Sequence, residues 1–346
     1  MQKVIGPIEK MRTRPDEPVR YALPVGDAEV PLNHLLGKPV RFKFTGRIFC
    51  VNCGKLTKTS FSQGYCFRCM QTLAQTDMCI VKPELCHHHL GTCREPEWGM
   101  AHCMIDHTVY LANSSGIKVG ITRSHQMRTR WMDQGAVQAL PIVRVKNRLD
   151  SGKVEIELSK VMADKTNWRL MLQGKGEIVD LKAKRDELFA TWAGALPGER
   201  LTGEEYRFSY PVLAYPAKPT SLNLDKNPEV TGELQGIKGQ YLILSSGVIN
   251  MRKYGGYELE WEAEAAPGAD GPAEVVSGIA AETSVPAAET AVATTEATLA
   301  PAHAPSARAD SQRPPVGTAR PTGSPVVESS PMKAAAGNPA SQTTLL

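Results

Sequence analysis

The chain has 346 residues, of which 42% are hydrophobic, and its 40 basic and 36 acidic residues give a formal net charge of +4. Its first residues lack the apolar core of a secretion signal, and no stretch approaches the roughly 18 apolar residues of a membrane span. On these grounds we expect neither a secreted nor a membrane-spanning protein. We therefore expect a cytoplasmic protein whose cysteines stay reduced.

Residues 1–49 form the first predicted domain, an N-terminal β segment. In its last part, PVRFKFTGRIF, the apolar residues Val40, Phe42 and Phe44 alternate with polar ones, which is the period of a half-buried strand. The strand leads directly into the first cysteine. It either closes a separate segment or pairs with residues 205–261, in which case the two ends of the folded body build one domain.

Residues 50–106 form a predicted cysteine-rich domain that holds all 8 cysteines of the chain. The first four are spaced as Cys50-x2-Cys53 and Cys66-x2-Cys69, with 12 residues between the pairs. A tetrahedral Zn²⁺ binds four thiolates at about 2.3 Å, and each CxxC turn supplies two of them. The spacing predicts a closed, zinc-ribbon-like structural site. A redox site fits less well, because redox CxxC pairs come singly at the start of a helix.

The other four cysteines match no compact zinc spacing, but histidines accompany them. This second group consists of Cys79, Cys86, Cys93 and Cys103, with His87, His88, His89 and His102 beside them. Four free thiols in so short a segment would be prone to oxidation, so we predict a second Zn²⁺ on all four cysteines. Two alternatives stay open. Some of the cysteines are buried as small hydrophobic residues, or a histidine completes a catalytic zinc site with an open position.

Basic residues are concentrated in two segments of the chain. Between Pro39 and Thr76 there are six bases and no acid, and between Lys118 and Arg148 there are seven bases and only one acid, Asp133. Patches of this density favour a polyanion, and nucleic acid is the default polyanion in cytoplasm. Alternatively, the first segment neutralises the negative charge of a four-thiolate zinc site. The predicted nucleic-acid contacts are Arg41, Lys43, Lys55, Lys58, Arg68 and Arg123.

Residues 107–185 are predicted to run strand, turn, strand, helix, strand, helix. The segment HTVYLANSSGIKVGITR resembles the core hairpin of the GIY-YIG nuclease superfamily, with Val109-Tyr110-Leu111 at the first motif and Lys118-Val119-Gly120 at the second. Thr108 replaces the leading glycine of the first motif, and Lys118 replaces the second tyrosine. The resemblance implies a GIY-YIG-like αβ domain with a small antiparallel sheet.

The resemblance also implies phosphodiester hydrolysis. A tyrosine or a metal-bound water acts at the nucleophile, an arginine neutralises charge in the transition state, and a glutamate holds Mg²⁺ or Mn²⁺. The implied catalytic residues are Tyr110, Lys118, Arg128, Arg130, Glu155 and Asn167. Arg128 and Arg130 are alternatives for the arginine, and Glu157 competes with Glu155 for the metal.

Residues 186–262 are predicted to form a helical linker and a β-rich domain. A charged helical stretch, IVDLKAKRDELFATWAGAL, leads into this region. The segments YRFSYPVLAY, VTGELQGIKGQYLILS and GVINMRKYGGYELEWE follow as short strands joined by glycine turns, which suggests a small barrel or curled sheet. Residues 263–346 are rich in Ala, Pro, Thr, Ser and Glu and contain no aromatic residue, which predicts a disordered tail. The expected class is α+β.

Over a longer span the chain is similar to an uncharacterised bacterial family filed as a domain of unknown function. The segments that carry this resemblance are SQGYCFRC, CHHHLGTCREPEWG, TRWMDQGA and DKTNWR. The leading hypothesis is a zinc-containing nucleic-acid-binding protein that is also a metal-dependent endonuclease. The alternatives are a non-catalytic DNA- or RNA-binding module and a zinc-stabilised interaction adaptor, and in either the tail is available to recruit a protein partner.

Overall fold

Short strands and helices alternate along the chain in a computed structural model, which describes residues 2–162, 167–191 and 197–264. The strands are β1 (Gln2–Pro7), β2 (Arg12–Arg14), β3 (Arg20–Val25), β4 (Ala28–Pro31), β5 (Pro39–Phe49), β6 (Leu56–Thr57), β7 (His107–Asn113), β8 (Ile117–Arg123), β9 (Gln138–Val145), β10 (Glu199–Arg200), β11 (Tyr206–Arg207), β12 (Glu229–Lys238), β13 (Tyr241–Leu244), β14 (Gly247–Asn250) and β15 (Tyr257–Ala263). The α-helices are α1 (Phe67–Thr72), α2 (Met78–Val81), α3 (Pro96–His102), α4 (Met127–Asp133), α5 (Arg148–Ser159), α6 (Trp168–Met171) and α7 (Leu181–Thr191). The predicted α+β class is confirmed.

Two further expectations concern the membrane and the tail. In the described ranges no helix is long and apolar enough to cross a bilayer. The tail predicted from residue 263 lies outside the described residues except for Ala263, which ends β15, and Glu264.

The largest sheet joins the two ends of the described chain. Its strand order is β1-β15-β5-β12-β13-β14, with β6 added to β5. The long strand β5 pairs antiparallel with β12 on one side and β15 on the other. Its inward side chains enter the main core, where the Phe42 ring stacks on Trp261 with centroids 5.3 Å apart. Strands β2, β3 and β4 form a small second sheet that packs on the same core.

A central sheet of order β10-β9-β7-β8 forms the second layer of the fold, with β11 also paired to β9. Every residue of β7 is buried, because β8 and β9 flank this strand and helices cover both faces. On one face, Val109 and Leu111 pack with Val154 of α5, whereas on the other Tyr110 packs with Trp131 of α4. The elements β7, β8, α4, β9 and α5 follow the order predicted from the sequence.

Some predicted elements differ from those observed. Of the predicted strand YRFSYPVLAY, Tyr206–Arg207 pairs with β9, and Val212 forms a single isolated bridge with Gly236. Pro211 and Pro216 lack the backbone N–H that a ladder needs, which explains why the strand is short. The helix predicted from KVEIELSKVMADKT ends at Ser159. Strands β1 to β4 were not predicted individually, because each is short; β1 pairs with the distant strand β15, and β2, β3 and β4 pair with one another.

The first cysteine pairs lie on a hairpin, residues 50–69, that is docked on the turn before β15. The Phe49 N–H donates to the Gly256 carbonyl at 2.7 Å, and the Val51 N–H donates to the Gly64 carbonyl at 2.9 Å. The Arg252 Nε donates to Gln63 Oε1 at 2.7 Å. The position of the cysteine hairpin is therefore set by the large sheet.

A buried lysine occupies the junction between the large sheet and α4. Lys238 is only 2% exposed, and its ammonium lies 5.4 Å from the ring centroids of both Tyr210 and Tyr215. No ion pair is found for it within the described ranges. Burial lowers the pKa of Lys238 to about 8.

Replacing this lysine should stabilise the protein. The pKa of Lys238 is lower in the folded state than in the unfolded state. Below pH 8 the lysine is charged in both states, and its burial destabilises the fold by the full amount. This destabilisation decreases as the pH rises toward 10.5, because the folded state then holds a neutral lysine. We expect Lys238→Met to raise the free energy of unfolding by about 1–3 kcal/mol at pH 7, and the gain to shrink above pH 8. Urea unfolding at several pH values measures this, with exposed Lys146→Met as the control. A loss of stability at pH 7 would show that the aromatic contacts outweigh desolvation.

Candidate functional site

The cysteine hairpin brings its four thiols together. Cys50 directly follows β5, Cys53 closes the first turn, Cys66 is the N-cap of α1 and Cys69 lies within α1. All four Sγ atoms lie within 4.8 Å of one another, and those of Cys53 and Cys66 are 3.9 Å apart. A tetrahedral ion with sulfur ligands at about 2.3 Å requires sulfur–sulfur distances of about 3.8 Å. The hairpin therefore has the donor set and the spacing of a four-thiolate metal site.

The electrostatics of this cluster favour a bound cation. Burial opposes ionisation of Cys50, but the backbone N–H groups of Cys53, Cys66 and Asn52 point at its sulfur and lower the pKa to about 6. Burial and the crowding thiols raise the pKa of Cys69 to about 12. The cluster thus stabilises the thiolate of Cys50 and opposes ionisation of Cys69. A divalent cation would remove that repulsion and allow all four thiols to ionise.

The second cysteine group surrounds a small cavity. Cys79, Cys86 and Cys103 are buried together against Trp98, and Cys93 lines the same cavity. The cavity volume is about 10 Å³, which is about one water-sized sphere. The four cysteines that lack a compact spacing in sequence therefore line one small cavity.

Histidine and carboxylate donors compete for this cavity, because the ligand atoms of Asp77, Cys79 and His87 also lie within 4.8 Å of one another. Asp77 is paired with Arg94, however, at 2.7 Å, and the His87 Nδ1 hydrogen-bonds Thr92 at 2.8 Å.

Two of the three remaining histidines of this segment lie within hydrogen-bonding distance of backbone carbonyls, and the third is exposed. His88 Nε2 lies 3.1 Å from the Pro96 carbonyl, and His102 Nδ1 lies 2.8 Å from the Trp98 carbonyl. His89 is exposed. Among the thiols that line the cavity, Cys93 donates to the Glu95 carbonyl at 3.5 Å.

Tyr110 lies at the centre of the αβ region. It is directly opposite Gly120 of the outer strand β8, and its ring crosses that glycine, where a Cβ would lie only 2.7 Å from the tyrosine oxygen. The hydroxyl donates to Gln134 Oε1 at 3.0 Å, and the side chain is fully buried against Trp131. The missing side chain at Gly120 is what allows the hydroxyl to reach the edge of the sheet.

The charges of Arg130 and Glu155 act on the Tyr110 hydroxyl from two helices. Burial raises the pKa of Tyr110, the positive charge of Arg130 opposes this, and the negative charge of Glu155 adds to it. Both charges therefore lie near the phenol. Helices α4 and α5 cover opposite faces of the sheet, and both contact β8. Arg130 lies on the helix of the Tyr110 face, whereas Glu155 lies on the helix of the other face.

The other residues predicted for this site have different surroundings. Lys118 is buried on β8, on the same face as Gly120. Arg128 is exposed, and its guanidinium lies 5.3 Å from the centroid of the Tyr206 ring. Glu157 pairs with Lys160 of its own helix segment. Asn167 is the N-cap of α6, where its side chain accepts from two backbone N–H groups.

The predicted phosphate contacts divide into two sets. Arg41 pairs with Glu229 and Glu262 at 2.9 and 2.8 Å, because β12 and β15 place acids on either side of β5. The Arg123 Nε donates to the His102 carbonyl at 2.9 Å. No ion pair is found within the described residues for the exposed bases Lys43, Lys55, Lys58 and Arg68. The excess of base along the sequence is therefore partly neutralised across the sheet.

Sequence reasoning missed two residues of this neighbourhood. Gln134 holds the Tyr110 hydroxyl. Arg252 lies in a distant segment, and burial and the nearby charge of Arg130 lower its pKa. Because Arg252 also binds Gln63, it links the cysteine hairpin to the region of Arg130. No local pattern marks either residue.

Comparison with known protein families identifies one match. Residues 37–259 match a family described as protein of unknown function, DUF2797. The chain belongs to this family. The match spans both cysteine groups, the central sheet and most of the large sheet, so it contains every residue of the sites described above. No curated protein and no solved structure matches the chain. None of these comparisons links it to the GIY-YIG superfamily, and that resemblance stays a hypothesis.

Proposed function

We propose that this protein binds nucleic acid and hydrolyses phosphodiester bonds at Tyr110, Arg130 and Glu155. The proposal is supported by the charges of Arg130 and Glu155, which act on the phenol of Tyr110 from two helices that both contact the edge strand β8. This set can bind a phosphate group and act on it. The GIY-YIG-like arrangement predicted from the sequence would assign the same three roles.

The donor set fits a divalent cation that is shared with a substrate. Mg²⁺ and Mn²⁺ are commonly held by one or two carboxylates together with phosphate oxygens, and Glu155 is partly buried at the site. When bound, such an ion supplies Lewis-acid polarisation of the phosphate. Arg130 would donate to a non-bridging oxygen and stabilise the charge that develops there. Tyr110, whose pKa is raised by burial, remains a neutral phenol that can orient water.

A second candidate is a module that binds nucleic acid without cutting it. The complete burial of Tyr110 and the burial of Lys118 favour this alternative, because a phosphate must reach both side chains for the catalytic roles. The third candidate, a zinc-stabilised adaptor, uses the same fold but binds no nucleic acid.

We also propose that the metal at both cysteine groups is zinc. Closed four-thiolate sets suit Zn²⁺ and leave no open coordination position, so both sites would be structural. The sulfur spacing supports the first site, made of Cys50, Cys53, Cys66 and Cys69. The small cavity that Cys79, Cys86, Cys93 and Cys103 line supports the second site.

Glu155→Gln tests the catalytic proposal. We expect the wild-type protein to cut DNA or RNA in Mg²⁺ or Mn²⁺, and the variant to lose about 100-fold in rate while its affinity for the substrate is kept. The matched control is Glu157→Gln. Glu157 lies two residues further along α5 and pairs with Lys160, so this variant should cut the substrate at the wild-type rate. Binding without any cutting by the wild type would favour the module. Absence of salt-dependent binding would favour the adaptor.

A further inference from the structure

The cysteine hairpin presents an apolar face to solvent. Phe67 is 54% exposed and Val51 is 42% exposed. The ring of Phe61 packs edge-on against Phe67, with centroids 5.6 Å apart. Val51 and Phe61 are connected through Gly64, whose carbonyl accepts from Val51 and whose N–H donates to Phe61. We call Val51, Phe61 and Phe67 the hairpin face.

Exposed bases lie on the same hairpin. Arg68 follows Phe67 in α1, and Lys55 and Lys58 lie on the segment between the two cysteine pairs. All three are exposed, and no ion pair is found for them within the described part of the chain. The hairpin itself contains no acidic residue. An aromatic ring beside cations without carboxylates is complementary to a stacked base and its phosphates, and a peptide partner would more often need an acid or a groove.

We propose that the hairpin face binds a single-stranded polynucleotide, with a base stacked on Phe67 and phosphates held by Arg68 and Lys58. The inference rests on the proposed nucleic-acid binding and adds the class of substrate. An unpaired strand is favoured because a duplex keeps its base faces stacked internally, where Phe67 cannot reach them.

The hairpin face is also connected to the candidate catalytic residues. Gln63 lies between Phe61 and Phe67 in the chain and accepts from Arg252. Arg252 in turn lies near Arg130. A polynucleotide bound to the hairpin face would therefore lie on a segment that Arg252 connects to the region of Arg130.

The test uses the full-length protein with its metal. Fluorescence anisotropy measures binding to labelled oligothymidylate, labelled oligouridylate and a duplex of the same length over a range of salt concentrations. We expect Phe67→Ala to weaken binding to one or both single strands about 5- to 100-fold without changing the salt slope. Arg68→Gln should weaken binding to single strands and lower the slope by about one. The two single strands distinguish DNA from RNA.

Two controls separate stacking from folding. Phe67→Leu keeps an apolar contact for Phe61 but removes the ring, so it should lose affinity as Phe67→Ala does. Leu90→Ala changes a 66% exposed apolar residue in the second cysteine segment and should bind normally. Unchanged metal content and melting temperature show that each variant is folded.

The outcomes separate this inference from the proposed function. If both Phe67 variants bind single strands like the wild type, or if the wild type prefers duplex, the inference is wrong and nucleic-acid binding stands. If the wild type binds none of the three probes, the proposed function is wrong and the inference falls with it. Loss of a protein partner in the Phe67 variants, with unchanged nucleic-acid binding, would identify the face as a protein-docking site and overturn the inference.

Discussion

Cys69→Ser is expected to release one metal ion and to unfold the cysteine hairpin locally. Two metal equivalents should be found in the wild-type protein and one in the variant. Structural zinc contributes about 10–16 kcal/mol of apparent binding free energy in small zinc modules, and the hairpin has few buried apolar residues to replace it. We expect its opening free energy to fall by about 5 kcal/mol or more, while the large sheet remains folded.

Metal analysis and amide hydrogen exchange measure this effect. The N–H groups of Tyr65 and Met70, which are hydrogen-bonded within the hairpin, should exchange much faster in the variant. A matched control is Ser60→Ala, which changes a polar residue of the same hairpin that is not a thiol ligand and should keep both metal ions. A Cys69→Ser protein with undiminished metal content and protection would contradict the four-thiolate site.

Gly256→Ala is expected to destabilise the protein by about 4 kcal/mol. Gly256 has a φ of +82°, where an L-residue is strained, and a Cβ there would overlap the Phe49 carbonyl oxygen. That oxygen belongs to the last residue of β5, and the Phe49 N–H donates to the Gly256 carbonyl. Backbone strain of about 1–2 kcal/mol and a steric penalty of about 1–3 kcal/mol therefore add at one position.

Gly46→Ala isolates the strain from the overlap. Gly46 has a similar φ of +89°, but a Cβ there would meet nothing within 4 Å. It should cost only about 1 kcal/mol. Urea denaturation of both variants gives the difference. Equal losses would mean that the contact between Gly256 and Phe49 is looser than the structure shows.

The first cysteine site illustrates what a sequence reveals. Two CxxC turns determine their own local geometry, because the backbone of each turn places its two thiols on one side. The short segment between them then allows the pairs to meet, and the four sulfurs lie at the required spacing. The hairpin β7–β8 is likewise a local structure, closed by the Ser114, Ser115 and Gly116 turn.

The basic segments illustrate what a sequence conceals. The segment between Pro39 and Thr76 contains no acidic residue, so its bases have no acidic neighbour within the segment. In the fold, Glu229 and Glu262 flank Arg41, and Glu258 pairs with Arg47, because β12 and β15 lie beside β5. Which bases remain available to a polyanion depends on strand pairing between residues 188 to 221 positions apart, which no local pattern encodes.

The α+β class, the clustering of the first four cysteines and the order of elements around Tyr110 follow from short-range spacing and side-chain alternation. The shared cavity of the other four cysteines and the bond from Arg252 to Gln63 of the hairpin do not. These contacts join segments that the spacing of residues along the chain does not relate. They form only when burial of apolar side chains in several elements at once fixes the relative positions of those segments.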